Sequence, residues 1–438
     1  MADETVEAWV VDVEKTLVDS QPEAEGAKWM AQSIYLVPAR MKILGAGAYK
    51  PRTLSLGPYH HGDPDLLPME VHKRRALRHV VRRSGKTARQ FVAGVEEVAE
   101  KLEGAYADLG DEWRGPGNRS RFLQVMVTDG CFLLEVMRMA AAGEHVGDYA
   151  PKDPVFSMHG LLYTVPHIRL DMVIMENQLP LLLLQKIMAL ENVNTNLTDE
   201  FAINRMVLEF LSTMLQPLPP GIGLALHPLD VIRRSFLSGQ DQLTSITQGQ
   251  GYSIPSAFEL YHAGISFKAG STISPRCISF QNGVLTMPRF VMDDSSEYFF
   301  LNMMAFERLH ADAGNDVTEF VQFLGSILLS AQDVKLLCSE GVIENILHED
   351  EAVVGMFKRL ATDFVVVRGS AIGHLYQQVY MYIWNNPCRG LTYWFTQFVN
   401  TYFHTPWKAI SLFAGTLLLM LSIVQTLYAV LSFYRKKD

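Results

Sequence analysis

The C-terminal part of the chain carries an apolar run that constrains its fold more than any other feature. From Ala409 to Tyr434 the sequence contains no charged residue, and a basic triplet follows. At ~1.5 Å rise per residue, a helix over this run reaches beyond the ~30 Å hydrocarbon core of a bilayer. Trp407 stands where an aromatic belt lies in spanning helices. We therefore predict a transmembrane helix over 405–434 and a basic tail over 435–438, with a buried core helix as the alternative.

The flanks of this run give two conflicting indications of orientation. The first residues are acidic and lack the basic and apolar regions of a signal peptide, which favours a tail anchor with the large domain in the cytosol. Three basic residues follow the run and only Lys408 closely precedes it, which favours the opposite orientation. We expect a cytosolic domain, held on the plasma membrane or an endomembrane.

Overall charge and cysteine content exclude several classes of protein. The net charge of -9 argues against a general nucleic-acid-binding protein, whose binding surface would be basic. The four cysteines lie far apart without a CxxC pair, which supports neither a zinc site nor a small disulfide scaffold. We expect no metal, no cofactor and no nucleic-acid partner.

Helical periodicity dominates the rest of the chain and predicts a mainly α fold. We expect helices over Leu77–Leu102, Phe122–Ala142 and Val173–Leu190, with Pro180 opening a new helix inside the third. The pair Asn282-Gly283 between short apolar runs predicts a small β-hairpin. The class is therefore a multi-helix globular domain with one hairpin and one C-terminal transmembrane helix.

A polar stretch without apolar periodicity, residues 238–253, divides the globular part. We read it as a linker between a first helical subdomain over 34–237 and a second, hairpin-containing helical subdomain over 254–404. An acidic N-terminal arm occupies 1–33.

Several acids and amides lie inside strongly apolar segments. They are Asp129, Glu135, Asp171, Glu176, Asn177 and Gln178. Buried carboxylates must be paired or hydrogen-bonded, so these residues predict a structural polar network between central helices. The alternative is an enzyme that uses the four carboxylates for acid-base chemistry.

One strongly basic stretch stands out in this acidic chain. It contains Arg74, Arg75, Arg78, Arg82 and Arg83. Against a membrane it would attract anionic head groups. The alternative is a solvated helix face on which Glu70 pairs with Arg74.

Two other clusters resemble a metal site and a nucleotide-binding loop, but neither has the spacing that such a site requires. His60, His61, Asp63 and His72 lack ligand pairs at helical spacing, so we expect them to pack or to cap a Gly-Pro turn. The string from Ser84 to Thr87 ends like a phosphate-binding loop but lacks its first glycine and its preceding strand. No nucleotide site is predicted.

Ordered motifs along the chain resemble the plant domain of unknown function 247 family. The strings are Ile34–Pro38, Ala48–Pro51, Ser55–Gly62, Met69-Glu70 with Lys73, Asp129–Phe132, Glu176–Pro180, Asn282–Leu285, Pro406-Trp407 and Gln425-Thr426. The motif loop of this resemblance is Gly57, Pro58, Tyr59, His60, His61 and Gly62. Leu36 departs from the arginine usual in the family, and only Ala105-Tyr106 remains of an Arg-Cys-Tyr pattern.

The resemblance implies a single-pass plant membrane protein without established enzymatic activity. Certain grass members of the family are regarded as pollen-side self-incompatibility determinants. We therefore expect a recognition protein that contacts lipid through its C-terminal helix and binds an unidentified protein partner. The alternatives are a membrane-anchored enzyme using the embedded carboxylates and a structural membrane adaptor using the basic stretch.

Overall fold

The structure is a computed structural model. It describes residues 6–7, 9–11, 13–14, 22–43, 45–115, 117–142, 149–191, 200–211, 217–219, 221–239, 254–362, 371–385, 403 and 406–435. Most of the predicted linker, much of the acidic arm and the tail beyond Arg435 lie outside these residues.

Helices form most of the described chain, which confirms the mainly α class. The α-helices are α1 (Pro22–Ala31), α2 (Ala39–Lys42), α3 (Leu67–Ser84), α4 (Ala88–Glu96), α5 (Ala99–Gly104), α6 (Arg119–Ala142), α7 (Met158–Tyr163), α8 (Val165–Asp171), α9 (Leu181–Glu191), α10 (Glu200–Leu211), α11 (Pro228–Phe236), α12 (Ala257–His262), α13 (Ser296–Leu309), α14 (Asp316–Ile327), α15 (Ala331–Ser339), α16 (Asp350–Leu360), α17 (Ala371–Trp384) and α18 (Pro406–Arg435). Short 3₁₀ turns lie at Ala46–Tyr49, Pro64–Leu66, Asp111–Trp113 and Pro275–Cys277.

Helix α6 is the central element of the first part, as its all-round apolar sequence predicts. Its side chains are buried almost without interruption from Phe122 to Met139, and α3, α4, α9 and α10 pack around it. Gly130 permits the closest of these approaches, because a Cβ built there would lie 2.5 Å from the Ile187 Cδ1 atom of α9.

The predicted helix over Leu77–Leu102 is wrong, because the segment is broken into three helices. Gly85 ends α3 with a left-handed φ of 67°, a conformation that glycine adopts without the steric penalty of a Cβ. Thr87 and Gln90 then form a capping box that opens α4. The apolar spacing continues across the break because α3, α4 and α5 all face the same core.

The prediction of helix from Val173 onward is also wrong in its first part. Residues 173–180 form a turn and an extended strip, and α9 begins directly after Pro180. The Gln178 amide Nε2 donates to the carbonyl oxygens of Met172 and Ile174 at 2.6 and 2.7 Å. These bonds to the main chain compete with helical hydrogen bonds and stabilise the turn.

The hairpin prediction is confirmed. Strands β2 (Ser279–Gln281) and β3 (Val284–Met287) pair antiparallel across Asn282 and Gly283, whose positive φ values of 51° and 82° suit a tight hairpin turn. Strand β1 (Ser266–Ala269) adds to β3 in parallel. A second, parallel pair joins β4 (Phe290–Met292) to β5 (Ile343–Asn345), which the sequence did not predict.

The hydrophobic core runs through both predicted subdomains. Buried side chains from Ile34 to Ile383 form one continuous cluster among the described residues. Helix α11 packs on α13, and α13 packs on α14 and α16. The division at 238–253 stays a prediction.

Helix α18 differs from every other described helix in its surroundings. It is the one helix of the described chain that is long and apolar enough to cross a membrane, over Ile410–Ala429, and none of that stretch is buried inside the protein.

Two glycines in helix interiors predict opposite effects on stability. Gly130→Ala lowers the free energy of unfolding by ~1–3 kcal/mol, because the new methyl group overlaps Ile187. Gly355→Ala in α16 raises it by ~0.5–1 kcal/mol, since its added Cβ meets only the Arg359 guanidinium at 3.6 Å. Urea titration of the full chain in nanodiscs measures both variants. Equal shifts in the two variants would contradict the packing of α6 on α9.

Candidate functional site: a buried polar latch

The segment from Ser33 to Gly57 precedes α3 and lacks regular structure apart from α2 and one 3₁₀ turn. Side chains from the turn after α8 hold much of its main chain. The Asp171 carboxylate accepts the backbone N–H groups of Arg52, Thr53 and Leu54 at 3.0, 2.7 and 2.8 Å. Burial raises the pKa of Asp171 above its ordinary value, against the lowering effect of these three donors. Both carboxylate oxygens are therefore occupied by backbone donors.

Asn177 continues the same hydrogen-bonding pattern along the segment. Its Oδ1 atom accepts the Leu56 N–H at 2.7 Å. Its Nδ2 group donates to the carbonyl oxygens of Leu54 and Asp171, both at 2.9 Å. A fully buried side-chain amide thus replaces the hydrogen bonds that a neighbouring strand would supply.

Glu176 secures the start of the segment. It accepts the Val37 N–H at 2.7 Å and lies 2.6 Å from the Lys42 Nζ atom and 3.3 Å from the His60 Nε2 atom. Burial opposes its ionisation, but the bonds from His60, Lys42 and Val37 outweigh burial and hold its pKa below the ordinary value. Glu176 is therefore an ionised acceptor in the folded protein.

Asp129 on α6 and Lys73 on α3 form a fully buried ion pair at 2.8 Å. Asp129 also accepts the Gly57 N–H at 2.9 Å, and the Lys73 ammonium donates to the Ser55 carbonyl oxygen at 2.5 Å. Glu70 lies 2.5 Å from Lys73, although the sequence had suggested Arg74 as its partner. Burial raises the pKa of Asp129 to about 6, against the lowering effect of Lys73.

Gln178 ties the turn to α11. Its Oε1 atom accepts the Leu229 N–H of α11 at 3.0 Å. Its own carbonyl oxygen accepts the Tyr106 hydroxyl at 3.0 Å and lies 3.1 Å from the place where a Cβ on Gly57 would stand. We call Asp129, Asp171, Glu176, Asn177 and Gln178 the polar latch.

Glu135 is not part of the polar latch, which corrects the prediction of a single network of six residues. It contacts Arg83, Arg138 at 3.3 Å and the Tyr149 hydroxyl at 3.0 Å. Six residues on an α-helix turn through ~600°, so Glu135 points ~120° away from Asp129 around α6. The four predicted carboxylates therefore do not converge on one cleft.

The motif loop packs beside the latch. The Tyr59 hydroxyl donates to the Ala107 carbonyl oxygen and lies 3.2 Å from the Ile34 carbonyl oxygen, which shares this donor. The His61 ring meets the Trp113 ring edge-on at 5.7 Å. Asp63 caps the following 3₁₀ turn by accepting the Asp65 N–H at 3.1 Å. Among the described residues, no group of His, Cys, Asp and Glu has the arrangement of a metal site.

The lipid-facing role of the basic stretch stays a prediction, and its five arginines differ in their contacts within the domain. Arg75 is half-buried and pairs with Asp153 at 2.6 Å, whereas Arg83 pairs with Glu135 but is itself exposed. The side chains of Arg74, Arg78 and Arg82 are exposed. These three recur every four residues and share one face of α3.

Asp171 is the latch residue that borders an open cavity. This cavity of about 460 Å³ is lined by Lys50, Arg52, Asp171, Asp293, Asp294, Tyr298 and neighbouring apolar residues. A second, mostly apolar cavity of about 580 Å³ lies between β4, α11 and α13 and contains no latch residue. The oxygens of Asp171 are already bonded to backbone donors. The geometry therefore favours a structural role for Asp171, holding the main chain, over a role in proton transfer.

Sequence reasoning missed Lys73 as a buried partner. The sequence analysis names Lys73 only as part of a family motif, yet Lys73 falls on the same face of α3 as the buried residues Met69, Ala76 and Val80. A charged residue on an apolar stripe is the signal that indicates a buried ion pair.

Two further polar clusters on α13 were also missed. The Asn302 Oδ1 atom accepts the Met175 N–H at 2.8 Å, and its Nδ2 group donates to the Ala48 carbonyl oxygen at 2.9 Å. Glu307 pairs with Arg233 of α11 at 2.9 Å and accepts the Thr318 N–H at 2.9 Å. One acid or amide in an apolar helix gives no sequence signal of which distant segment it holds.

His227 supplies one more hydrogen bond, at the start of the segment from Ser33 to Gly57. Its Nδ1 atom accepts the Asp230 N–H at 3.2 Å, which leaves Nε2 to donate to the Ser33 carbonyl oxygen at 2.9 Å. The ring packs edge-on against Phe306 at 4.9 Å. Burial lowers the pKa of His227 to about 4, so the ring is neutral at pH 7.

Comparisons with known proteins agree on one family. The model of the DUF247 family, described as plant protein of unknown function, matches residues 34–421. A UPF0481 protein of Arabidopsis thaliana is 27% identical, over 92% of this chain and 87% of its own length. A second UPF0481 protein of the same plant is 21% identical, over 97% of this chain and 95% of its own length. No solved structure matches the chain.

Neighbouring residues of α3 provide a matched test of the latch. Lys73→Met lowers the free energy of unfolding by ~3–5 kcal/mol, because it leaves Asp129 buried without its cation. Arg74→Met changes it by less than ~0.5 kcal/mol, since Arg74 is exposed. Urea titration of the full chain in nanodiscs compares the two. Asp129→Asn in the Lys73→Met background recovers part of the loss, and equal effects of Lys73→Met and Arg74→Met would contradict the buried pair.

The neutral state of His227 predicts a dependence of stability on pH. Between its unfolded pKa near 6.5 and its folded pKa of about 4, only the unfolded chain binds the proton. Stability therefore falls as pH falls through this window, by ~3 kcal/mol in total. His227→Asn keeps a helix-capping acceptor but removes the titration, so its stability changes less between pH 7 and pH 4.5 than that of the unmodified chain. Parallel stability curves for the two proteins would contradict a neutral, buried His227.

Proposed function

This chain belongs to the DUF247 family of plant proteins, and from that premise we propose that it is a membrane-anchored interaction protein that acts without catalysis. Its C-terminal helix crosses the membrane, and its helical domain faces the cytosol and binds a protein partner. Two observations together carry the proposal. The buried charged side chains of the domain are paired or hydrogen-bonded inside it, and the apolar helix α18 is not covered by the domain.

The exposure of α18 supports the anchor. Over Ile410–Ala429 the helix has no protein environment, and Leu418, Leu419 and Met420 are 67%, 64% and 66% exposed. In water this continuous apolar surface would favour aggregation, whereas in a bilayer it is solvated. The polar groups inside the stretch include Ser411 and Thr416, whose hydroxyls donate to carbonyl oxygens of their own helix at 2.9 and 3.0 Å.

The polar latch supports interaction in preference to catalysis. A catalytic carboxylate needs a free oxygen within reach of a substrate. The oxygens of Asp171 and Asp129 accept backbone N–H groups or the Lys73 ammonium. The enzyme alternative would therefore require the latch to open.

The exposed arginines at 74, 78 and 82 support a second candidate, a structural adaptor on anionic lipid. Each basic residue near such a surface contributes ~1 kcal/mol. We rank this candidate lower, because the other two arginines of the stretch are held in ion pairs within the domain. A finer form of the main proposal, a pollen-side self-incompatibility determinant, rests on resemblance to certain grass members.

The anchor predicts retention in membranes after alkaline carbonate extraction. The double substitution Leu418→Arg with Leu421→Arg raises the free energy of membrane insertion by ~2.5–3.5 kcal/mol per residue, because both positions lie near the helix centre. We therefore expect this variant to move to the soluble fraction. Ala at the same two positions is the matched control and leaves the protein in the membrane. Immunoblotting of both fractions measures the shift. Equal retention of the Arg and Ala variants would overturn the anchor.

Partner binding is tested on the same preparations. Affinity capture from native membranes with the full chain and with the double Ala variant is read by quantitative mass spectrometry. We expect one reproducible protein partner with both baits, and protease digestion of sealed vesicles removing the domain only from the cytosolic face. Absence of any shared partner across replicates would contradict the interaction proposal.

A further inference from the structure

Helix α17 is the last described element of the domain before α18, and one of its faces belongs to the domain core. Leu375 and Val379 are fully buried, and Ile383 is nearly so. The Tyr382 ring meets Phe280 of β2 edge-on at 5.2 Å, and α17 also contacts α14. The position of α17 is therefore fixed by the core and the hairpin.

The C-terminal end of α17 presents an apolar surface on another face. Trp384 is 63% exposed and Met381 is 46% exposed. The Tyr380 ring stacks on the Trp384 ring at 6.0 Å, with an interplanar angle of 10°. Residues 380, 381 and 384 span an arc of ~100° on a helix, so they form one continuous surface. We call these three residues the α17 patch.

The composition of the α17 patch suits a membrane interface. Tyr and Trp concentrate at the boundary between head groups and acyl chains, where an apolar ring and a polar edge are both solvated. The whole helix from Ala371 to Trp384 contains no Asp, Glu, Lys or Arg. No charged group of α17 would therefore lose its water when the patch enters lipid.

The sequence that follows α17 has the same character and leads to the span. Between Trp384 and Trp407 the one charged residue is Arg389, and aromatic residues recur throughout. Trp407 at the start of α18 is 79% exposed. The 22 residues between Trp384 and Trp407 can reach at most ~80 Å, so the patch always stays within that distance of the start of α18.

We propose that the α17 patch is a second membrane contact, in which Met381 and Trp384 insert into the lipid interface and dock the domain on the bilayer. The occupant is lipid, because the connection to α18 holds the patch at a high effective concentration next to the membrane, where even weak affinity suffices. The inference rests on the proposed span of α18. It adds that the domain itself lies against the membrane, so that α18 is not its one contact with lipid.

Site-directed fluorescence of the full chain tests this contact. An environment-sensitive nitrobenzoxadiazole label is attached at Met381→Cys, after Ser replaces Cys277, Cys338 and Cys388. A label at Glu340→Cys, on the exposed end of α15, calibrates quenching by aqueous iodide. Each protein is reconstituted in phosphatidylcholine vesicles with or without 5-doxyl phosphatidylcholine.

We expect doxyl lipid to quench the label at 381 at least twofold and iodide to quench it at least twofold less than the label at 340. Trp384→Glu in the Met381→Cys protein lowers the quenching by doxyl lipid at least twofold, because it places a charge in the patch. Trp384 is largely exposed, so this variant keeps the fold.

Carbonate extraction of the same vesicles separates this inference from the anchor. A chain that is extracted refutes the span of α18 and removes the premise of the inference. A retained chain whose label at 381 is quenched by iodide and not by lipid overturns the inference alone. A label shielded from both quenchers also overturns it, because protein and not lipid then covers the patch.

Discussion

A backbone N–H group that leaves water must find an acceptor, and the segment from Ser33 to Gly57, which is mostly outside regular helices, removes several of these groups from water at once. Side chains supply the acceptors. Asp171 alone takes three consecutive N–H groups, and Asn177, Asp129 and Glu176 take others along the same segment. Each acceptor that is lost would leave a buried donor unsatisfied, at ~1–3 kcal/mol. The polar latch is therefore the condition under which this segment can enter the core.

The rest of the fold depends on where these side chains stand. The strip that carries Glu176, Asn177 and Gln178 is not helical, because the side-chain amides of Asn177 and Gln178 donate to nearby carbonyl oxygens and so compete with helical hydrogen bonds. Asn302 reaches the same strip from α13 through the Met175 N–H. Elements far apart in the sequence thus share one polar centre, which explains why the hydrophobic core continues through both halves of the chain.

Sequence patterns predicted the elements whose geometry is set locally. Asn282-Gly283 fixed the hairpin through backbone conformation, and the all-round apolar run of α6 identified the central helix. Apolar spacing failed where a helix stops without leaving the core, as at Gly85. It also failed between Val173 and Pro180, where side-chain amides replace helical bonds. Neither event changes hydrophobicity, so periodicity does not detect it.

The same limit applies to the candidate site, where the sequence identifies residues but not their partners. Composition identified the embedded acids and amides, because a charge in an apolar helix is unusual in itself. It did not identify their partners: a lysine next to Arg74 and Arg75 is not by itself a sign of burial, and the donors to Asp171 are backbone N–H groups, which all residues except proline possess. Long-range pairing decides such a network, and one sequence contains no direct record of it.

The internal use of charge also bears on how this protein acts. The latch holds the main chain between Val37 and Gly57 through several hydrogen bonds, and a segment that is already held in this way loses little conformational entropy when a partner binds it. Under the proposed function, α18 adds the second advantage, since partners on the same membrane meet the domain at high effective concentration. A pre-organised and tethered domain needs only modest surface affinity to select a partner. Selectivity then resides in the exposed side chains, which can vary between relatives without disturbing the latch beneath them.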